Sequence, residues 1–387
     1  MRTLRQFAAW LFLAWSSFAP ANADVLTQWH DRTFPNPLGY DWNLSDVIFA
    51  NGSFVAVGQS GDFGIILTSP DGVDWTSQIP TNVATFGATL SANGIAFGNG
   101  RLVGLGWRGV LTVCADGTNW HQEWTGADWE FTDVVYGGGQ FVAVGRAFLS
   151  STNTAFSNDG LHWTFRRGML DQLDRVAYGD SVFLAVGPYG VAKSVGGNWL
   201  VVSSIPFRDI AFGNGIFVLA AGTNGIFTRA PSLSSTPPFQ SVTNLPAESV
   251  TFGGGIFFAL NSNGSAVFTS TNGTNWIARE IDPPLSPSAP LSGYALAQGQ
   301  GTLVAVGSPN KMAQSSRLAG ITLGPEQGTM FLWGIAGATY QIQTRVAFDT
   351  NTPWLPARDL VLTNSPQFWR DSGATNASRF YQIQLLP

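Results

Sequence analysis

The chain has 387 residues, of which 44% are hydrophobic and 11% are charged. This apolar content can fill a sizeable core and argues against a disordered protein. The 45 glycines, 15 tryptophans and 28 phenylalanines favour β-structure over helices. The net charge of −5, without any cluster of Lys or Arg, argues against a nucleic-acid partner.

The N-terminus has the pattern of a secretory signal peptide over residues 1–23. A basic start precedes an apolar run at 7–15, and Ala-Asn-Ala at 21–23 is a small-residue cleavage site. The run is too short to span a bilayer comfortably, and no later segment reads as a transmembrane helix. We expect a mature protein that is secreted, periplasmic or on the cell surface, without a membrane span. An uncleaved anchor is the alternative.

One unit then recurs seven times, as two apolar segments joined by a turn of the Asn-Gly or Gly-Gly kind. It begins as DVIFANGSFVAVG at 46–58, restarts at 94, 133, 175, 209 and 249, and ends as the degenerate GYALAQGQGTLVAVG at 293–307. Such turns predict β-hairpins, and a third and a fourth strand follow in most copies. The sequence therefore predicts an all-β fold, a seven-bladed β-propeller over residues 24–318.

The two ends of the repeat array predict how the ring closes. The seventh copy has a third strand near 311–316 but no tryptophan-bearing fourth strand. The segment VLTQWHDRTFP at 25–35 resembles the fourth strand of the first copy, so we expect it to complete the last blade. Residues 319–387 alternate apolar and polar residues without the unit, which predicts a small β-sandwich-like domain.

A short acidic turn recurs between the predicted third and fourth strands. SPDGVDW at 69–75 returns as CADGTNW at 114–120, SNDGLHW at 157–163 and STNGTNW at 270–276. The Asp or Asn oxygen can accept backbone N–H groups, the glycine can take a positive φ, and the tryptophan packs over the turn. The residues expected in these structural turns are Ser69, Asp71, Gly72, Trp75, Asp116, Gly117, Trp120, Ser157, Asp159, Gly160, Trp163, Asn272, Gly273 and Trp276.

This motif resembles the Asp-box of sialidase-type (BNR) repeats, although glycine follows the acidic residue directly and the motif is one residue shorter. Over residues 25–318 the chain resembles secreted bacterial propellers of the sialidase-like superfamily and of the photosystem II assembly-factor-like kind. The resemblance implies that the turns face away from the ligand side. The tail, with G-x-x-Y-x-I-Q at 337–343, Trp354 and Arg-Phe-Tyr at 379–381, resembles a C-terminal β module of Verrucomicrobia-type bacteria. Such a module implies attachment or sorting, with a stabilising appendage as the alternative.

The sequence contains no recognised catalytic motif. The arginine motif and the Tyr/Glu nucleophile pair that sialidases use have no match, and IPFR at 205–208 shares only the letters of one motif. A glycosidase could draw two carboxylates from Glu123, Asp128, Glu130 and Asp133, which are otherwise solvated loop residues. The histidines lack a metal-ligand spacing. We expect no cofactor, no metal and no catalytic residue, and leave a glycosidase activity open.

Two sets of residues are candidates for ligand binding. Trp124 and Trp129 are expected in the loop that joins the second and third copies, with Trp107 and Arg108 in another loop on the same face. Aromatic rings beside carboxylates suit a sugar, and capping of the blade contact is the alternative. Asp46, Asp133, Arg175 and Asp209 align at the starts of inner strands, where they rim the channel or simply begin strands in water. The candidate ligand-binding residues are therefore Trp107, Arg108, Trp124, Trp129, Glu130, Asp133, Arg175 and Asp209.

The sequence thus predicts a secreted, monomeric, non-catalytic binding or scaffold protein. The expected partner is an extracellular glycan or protein, recognised on the face opposite the acidic turns. Two alternatives stay open, a sialidase-like glycoside hydrolase of extracellular polysaccharide and an assembly factor for an exported protein.

Overall fold

The computed structural model describes residues 26–36, 38–61, 63–78, 92–106, 110–114, 120–124, 129–147, 153–167, 169–229, 239–285, 295–323, 329–335, 338–345, 353–362, 367–371 and 380–386. Every regular element in these ranges is a β-strand. The predicted signal peptide at 1–23 lies outside them. Within the described ranges, the chain has no helix of the length and apolarity required to cross a bilayer.

The strands up to residue 315 form seven four-stranded antiparallel sheets, which we number in chain order. The first strand, β1 (Trp29–Asp31), belongs to sheet 7. Sheet 1 contains β2 (Asn43–Ala50), β3 (Ser53–Ser60), β4 (Phe63–Ser69) and β5 (Thr76–Gln78). Sheet 2 contains β6 (Gly94–Gly98), β7 (Arg101–Leu105), β8 (Val110–Cys114) and β9 (His121–Trp124). Sheet 3 contains β10 (Trp129–Gly137), β11 (Gln140–Ala147), β12 (Thr154–Ser157) and β13 (Thr164–Arg166).

The later sheets have the same strand order. Sheet 4 contains β14 (Arg175–Gly179), β15 (Val182–Gly187), β16 (Gly190–Val195) and β17 (Asn198–Ser203). Sheet 5 contains β18 (Asp209–Gly213), β19 (Ile216–Ala220), β20 (Ile226–Arg229) and β21 (Gln240–Thr243). Sheet 6 contains β22 (Ser249–Gly253), β23 (Ile256–Leu260), β24 (Ala266–Ser270) and β25 (Ile277–Glu280). Sheet 7 contains β26 (Ala295–Gly299), β27 (Thr302–Gly307), β28 (Lys311–Ser315) and β1.

The sheets are arranged in a closed ring. The first strands of successive sheets contact one another in the cycle β2, β6, β10, β14, β18, β22 and β26, and β26 returns to β2. In sheet 7, β1 pairs antiparallel with β28, with Trp29 opposite Ser315 and Asp31 opposite Ala313. The fourth strand of this sheet therefore comes from the N-terminal part of the chain.

The hydrophobic core lies mainly between successive sheets. Val55 and Val57 of sheet 1, for example, share one buried cluster with Ile95 and Leu102 of sheet 2. Both faces of each inner sheet region are covered by neighbours, which explains why the second strands are apolar at almost every position. At the far end of the inner strands, the ring of Tyr178 lies directly over Gly137 of the preceding sheet.

Two three-stranded sheets follow residue 318. One contains β29 (Ala319–Leu323), β30 (Thr329–Gly334) and β33 (Gln367–Arg370), and the other β31 (Thr339–Arg345), β32 (Leu355–Val361) and β34 (Phe380–Leu385). The Tyr340 hydroxyl donates to the carbonyl oxygen of Leu318 at 2.8 Å and accepts the N–H of Ile335 at 2.7 Å. Tyr340 and Leu332 share a buried cluster with Leu303 of sheet 7, so this region packs on the ring. The domain boundary at 318/319 and the sandwich architecture stay predictions.

Candidate functional site

Three acidic turns are described, and they share one geometry. Asp71 Oδ1 accepts the backbone N–H groups of Val73 at 2.9 Å and Asp74 at 3.2 Å, and the Ser69 hydroxyl donates to it at 3.1 Å. The indole N–H of Trp75 donates to the carbonyl oxygen of Gly72 at 3.0 Å. Equivalent bonds are formed in the turns at 157–163 and 270–276.

Each of the three described turns also contacts the sheet before its own. Gly72 lies against Val304 and Gln314 of sheet 7, and the Gln314 side-chain amide donates to the carbonyl oxygen of Asp71 at 2.8 Å. The hydrogen bonds lower the pKa of Asp71, the N–H of Val73 contributing most. Each turn is therefore occupied by structural contacts. Asp116 and Gly117 lie outside the described residues, while Trp120 of that turn is buried.

Three aspartates in the half of the inner strands opposite the acidic turns bridge neighbouring sheets. Asp209 begins β18 as expected, whereas Asp46 and Asp133 lie inside β2 and β10, because these two strands begin earlier than the sequence predicted. Asp133 Oδ1 accepts the N–H of Val134 at 2.8 Å, and its Oδ2 accepts the N–H of Val176 in sheet 4 at 2.7 Å. Asp46 bridges sheets 1 and 2 in the same way, and Asp209 bridges sheets 5 and 6. We call these three contacts the aspartate clamps.

Arg175 begins the inner strand of sheet 4 and reaches across the channel between the clamps. Its Nη2 donates to the carbonyl oxygen of Ser45 in sheet 1 at 3.2 Å, and its Nη1 lies 3.4 Å from that of Thr132 in sheet 3. Its Nε lies 3.8 Å from Asp209 Oδ1 in sheet 5. Ser45 and Thr132 both sit where the strand register shifts, so these bulges leave their carbonyl groups available to the guanidinium.

Burial dominates the ionisation of the clamps. It raises the pKa of Asp133 to about 8 and that of Asp209 to about 6, although Arg175 and the backbone N–H groups oppose both shifts. Burial likewise raises the pKa of Asp46. Burial by itself would lower the pKa of Arg175. The neighbouring carboxylates, Asp133 foremost, together outweigh burial and raise that pKa. The cluster therefore holds a permanent cation beside carboxyl groups that bind protons readily.

Two cavities meet this cluster. The channel itself is a cavity of about 510 Å³ lined by the inner strands, including all three clamps and Arg175. At the end where the inner strands begin lies a second cavity of about 450 Å³, which we call the mouth cavity. Apart from Leu44, its lining is polar or charged: Asn43, Ser45, Gln59, Asn93, Glu130, Thr132, Arg146, Asp174, Arg175, Arg208 and Ser308. The acidic turns stand at the other ends of the sheets.

No protein-family model matches the sequence, and neither does any curated protein. Solved structures do match the fold. Virginiamycin B lyase from Staphylococcus aureus with quinupristin gives a TM-score of 0.57 at 10% identity, covering 75% of this chain and 99% of that chain. YCF48 bound to D1 peptide gives 0.54 at 12% identity, covering 74% and 96%, and the WD40 β-propeller domain of Doa1 gives 0.52 at 12%, covering 74% and 96%. The fold is a β-propeller.

The prediction of an all-β propeller is thereby confirmed, whereas these low identities carry no information about activity. Membership of the sialidase-type repeats stays a prediction. In the part of the propeller that the structure describes, no three His, Cys, Asp or Glu side chains gather into a set that could hold a metal ion.

The predicted ligand-binding residues are only partly brought together. Glu130, Asp133, Arg175 and Asp209 lie at the mouth cavity or the channel, whereas Trp107 and Arg108 lie outside the described residues. Expecting Trp124 and Trp129 in a loop was wrong, since Trp124 ends β9 and Trp129 begins β10. The reason is that β10 starts early, with Trp129 opposite Ala147. The side chains of both tryptophans lie outside the part of the chain whose side chains the structure describes.

The carboxylates also differ from the expectation of solvated loop residues. Asp133 is 8% exposed and its two oxygens bind backbone N–H groups of two sheets. Glu130 is half-buried and accepts from the Asn93 side-chain amide at 3.0 Å, and burial raises its pKa. Of the other two hydrolase candidates, Asp128 and the side chain of Glu123 lie outside the described residues.

Sequence reasoning missed the charged pairs that frame the mouth cavity. Arg146 Nη2 lies 3.5 Å from Asp174 Oδ1, and Arg208 Nε lies 3.7 Å from Glu248 Oε2. Asp174 and Arg208 each directly precede an inner strand, next to Arg175 and Asp209. The residue directly before each aligned position was therefore a usable signal, because it lies towards the same end of its inner strand and hence on the same face of the ring.

Proposed function

We propose that the seven sheets are the blades of a secreted, non-catalytic binding or scaffold protein whose ligand, an extracellular glycan or protein, enters the mouth cavity. The observation that carries this proposal is a concave, polar cavity of about 450 Å³ at the channel end opposite the acidic turns. Concave sites with a few fixed polar groups are where ligands bind in most proteins.

The lining groups are held in place before any ligand arrives. The aspartate clamps fix the strand ends, and Arg175 fixes the bulges in β2 and β10. Arg146 and Arg208 stay on the surface, with 47% and 66% of their side chains exposed. A rigid frame with exposed donors lowers the entropy lost on binding, which favours recognition.

The hydrolase alternative requires two carboxyl groups that face one substrate bond. Asp133 lacks that freedom because its oxygens are bonded within the clamp. The structure of YCF48 bound to D1 peptide is an instance of a similar fold with a peptide, which supports a protein-binding role and keeps the assembly-factor alternative within this proposal.

Ligand screening with matched variants tests the proposal. The mature chain is screened on a glycan array and against a phage-displayed peptide library. We expect at least one ligand whose binding weakens about tenfold or more in R146A/R208A and is unchanged in D74A, an exposed residue of an acidic turn. Absence of any ligand in both screens would overturn the proposal, as would a ligand that only D74A weakens.

A further inference from the structure

Tyr40 and Phe63 form an exposed aromatic pair at the same end of sheet 1 as the mouth cavity. Their ring centroids lie 5.1 Å apart at an interplanar angle of 35°. Tyr40 is 37% exposed and Phe63 is 47% exposed. The pair thus makes a contiguous exposed apolar area, a feature that can mark an interaction site.

The loop that carries Tyr40 is fixed by hydrogen bonds. The Asn36 side-chain amide donates to the carbonyl oxygen of Tyr40 at 2.8 Å, and the indole N–H of Trp42 donates to Asn36 Oδ1 at 2.8 Å. Asn310 of sheet 7 accepts the N–H of Trp42 at 2.8 Å and donates to Asp41 at 3.0 Å. Trp42 is buried, and its ring also contacts Tyr40 at 5.8 Å. The backbone that carries Tyr40 is therefore held in place.

Uncharged hydrogen-bonding groups stand next to this pair. Asn43 and Gln59 are paired across β2 and β3, three residues after Tyr40 and four before Phe63, and both line the mouth cavity. The Ser308 hydroxyl donates to Asn43 Oδ1 at 2.7 Å. The side chain of Gln59 forms no hydrogen bond with the described residues, so its donors and acceptor are available to a ligand.

We propose that Tyr40 and Phe63 form a platform for a neutral pyranose ring of a glycan, with Gln59 and the Asn43 amide binding its hydroxyl groups. This inference names the ligand class of the proposed function and rests on it. Two adjacent exposed aromatic rings offer apolar faces on which a sugar ring can stack, and amides match hydroxyls because both donate and accept. Neither Tyr40 nor Phe63 lines the mouth cavity itself, so the pair adds a stacking surface beside the polar groups of that cavity.

The choice of a neutral sugar follows from charge. Of the described ionisable side chains around the pair, Asp41 is bonded to Asn310. Arg146, Arg175 and Arg208 line the mouth cavity, and each lies beside a carboxylate, Asp174, Asp209 and Glu248 respectively. The cations near an acidic sugar would thus already be compensated by carboxylates, whereas a neutral sugar needs no counter-charge on losing its hydration.

Affinity electrophoresis of the mature chain tests the platform. Native gels contain hydroxyethylcellulose or mannan as neutral probes and polygalacturonate as the acidic probe. We expect retardation by at least one neutral polysaccharide, about tenfold weaker in Y40A and F63A, weaker in Q59A, and retained in Y40F, which keeps the ring. The matched control is Y189A, a tyrosine that is 58% exposed in the β15–β16 turn of sheet 4, and it should bind as the wild type.

The outcomes separate this inference from the proposed function. Retardation by polygalacturonate alone, or equal retardation of Y40A, F63A and wild type, overturns the platform. If neither neutral polysaccharide is bound while the peptide library yields a ligand sensitive to R146A/R208A, the platform fails and the proposed function stands. If neither polysaccharides nor peptides bind, both fail. Circular dichroism of each variant confirms that the fold is retained.

Discussion

Asp133 Oδ2 accepts the backbone N–H of Val176 at 2.7 Å, so a side chain of sheet 3 holds the first residues of sheet 4. The same contact joins sheets 1 and 2 through Asp46 and sheets 5 and 6 through Asp209. Aspartate clamps thus occur at alternate junctions of the ring. Arg175 connects them across the channel, because it contacts the Ser45 carbonyl in sheet 1 and Asp209 in sheet 5.

The clamp at Asp133 makes stability depend on pH. Burial raises its pKa from an ordinary value of 3.8 to about 8. The folded protein therefore binds more protons than the unfolded chain within that window, and the free energy of unfolding falls as pH rises through it. We expect the fall in free energy of unfolding between pH 5 and pH 8, measured by urea unfolding, to be roughly 1–3 kcal/mol smaller in D133N than in the wild type.

Asp209 provides an internal comparison for that experiment. Its pKa is raised to about 6, so D209N should flatten the curve only below about pH 6. The exposed Asp74 serves as the control, and D74N should follow the wild-type profile. The expectation would be contradicted if, from pH 5 to pH 8, the free energy of unfolding of the wild type rose relative to that of D133N.

Removal of the cation at the channel should be costly. R175M leaves buried carboxylates without their compensating charge, and we expect a loss of about 3 kcal/mol in free energy of unfolding at pH 8. The loss should shrink at pH 5, where the clamps take up protons. The double variant R175M/D209N should recover part of it in equilibrium urea unfolding. A loss equal at both pH values would indicate that packing, not charge, is the contribution of Arg175.

The contact between Gly137 and Tyr178 allows no side chain. A Cβ at position 137 would overlap the Tyr178 ring, so we expect G137A to destabilise the protein by about 2–3 kcal/mol. Thermal unfolding followed by circular dichroism measures the effect. G137A/Y178A should cost less than the sum of the two single variants, since the shortened side chain removes the overlap. Additive costs would show that the two positions are uncoupled.

The stability of the acidic turn at 69–75 should depend on one acceptor oxygen, Asp71 Oδ1. D71A removes the acceptor for Val73 and Asp74 and should cost about 1 kcal/mol of stability. D71N should be close to wild type, because Asn272 Oδ1 accepts Thr274 and Asn275 in the same geometry. Ligand binding at the mouth cavity should be unchanged in both variants, and a binding defect in D71N would contradict a purely structural role.

Much of the architecture could be predicted because its signals are local. Turn chemistry from Ser69 to Trp75 involves residues at most six positions apart, and the apolar hairpin segments with their Asn-Gly or Gly-Gly turns are equally local. Recurrence of these local patterns was sufficient to predict the propeller. Trp124 and Trp129 were misplaced because strand ends depend on pairing with another strand, here Ala147 in β11.

The sequence by itself determined the repeated unit, the acidic turns and the alignment of Asp46, Asp133, Arg175 and Asp209 at equivalent positions of that unit, although only Arg175 and Asp209 begin their strands. Only the tertiary structure decided their environment, since Asp133 meets Val176 and Arg175 meets Ser45 across different sheets. It also placed Tyr40 against Phe63, two residues outside the repeat pattern. The physical reason is that contacts within a turn follow from neighbouring residues, whereas burial, pKa and contacts across the channel follow from how the sheets close into a ring.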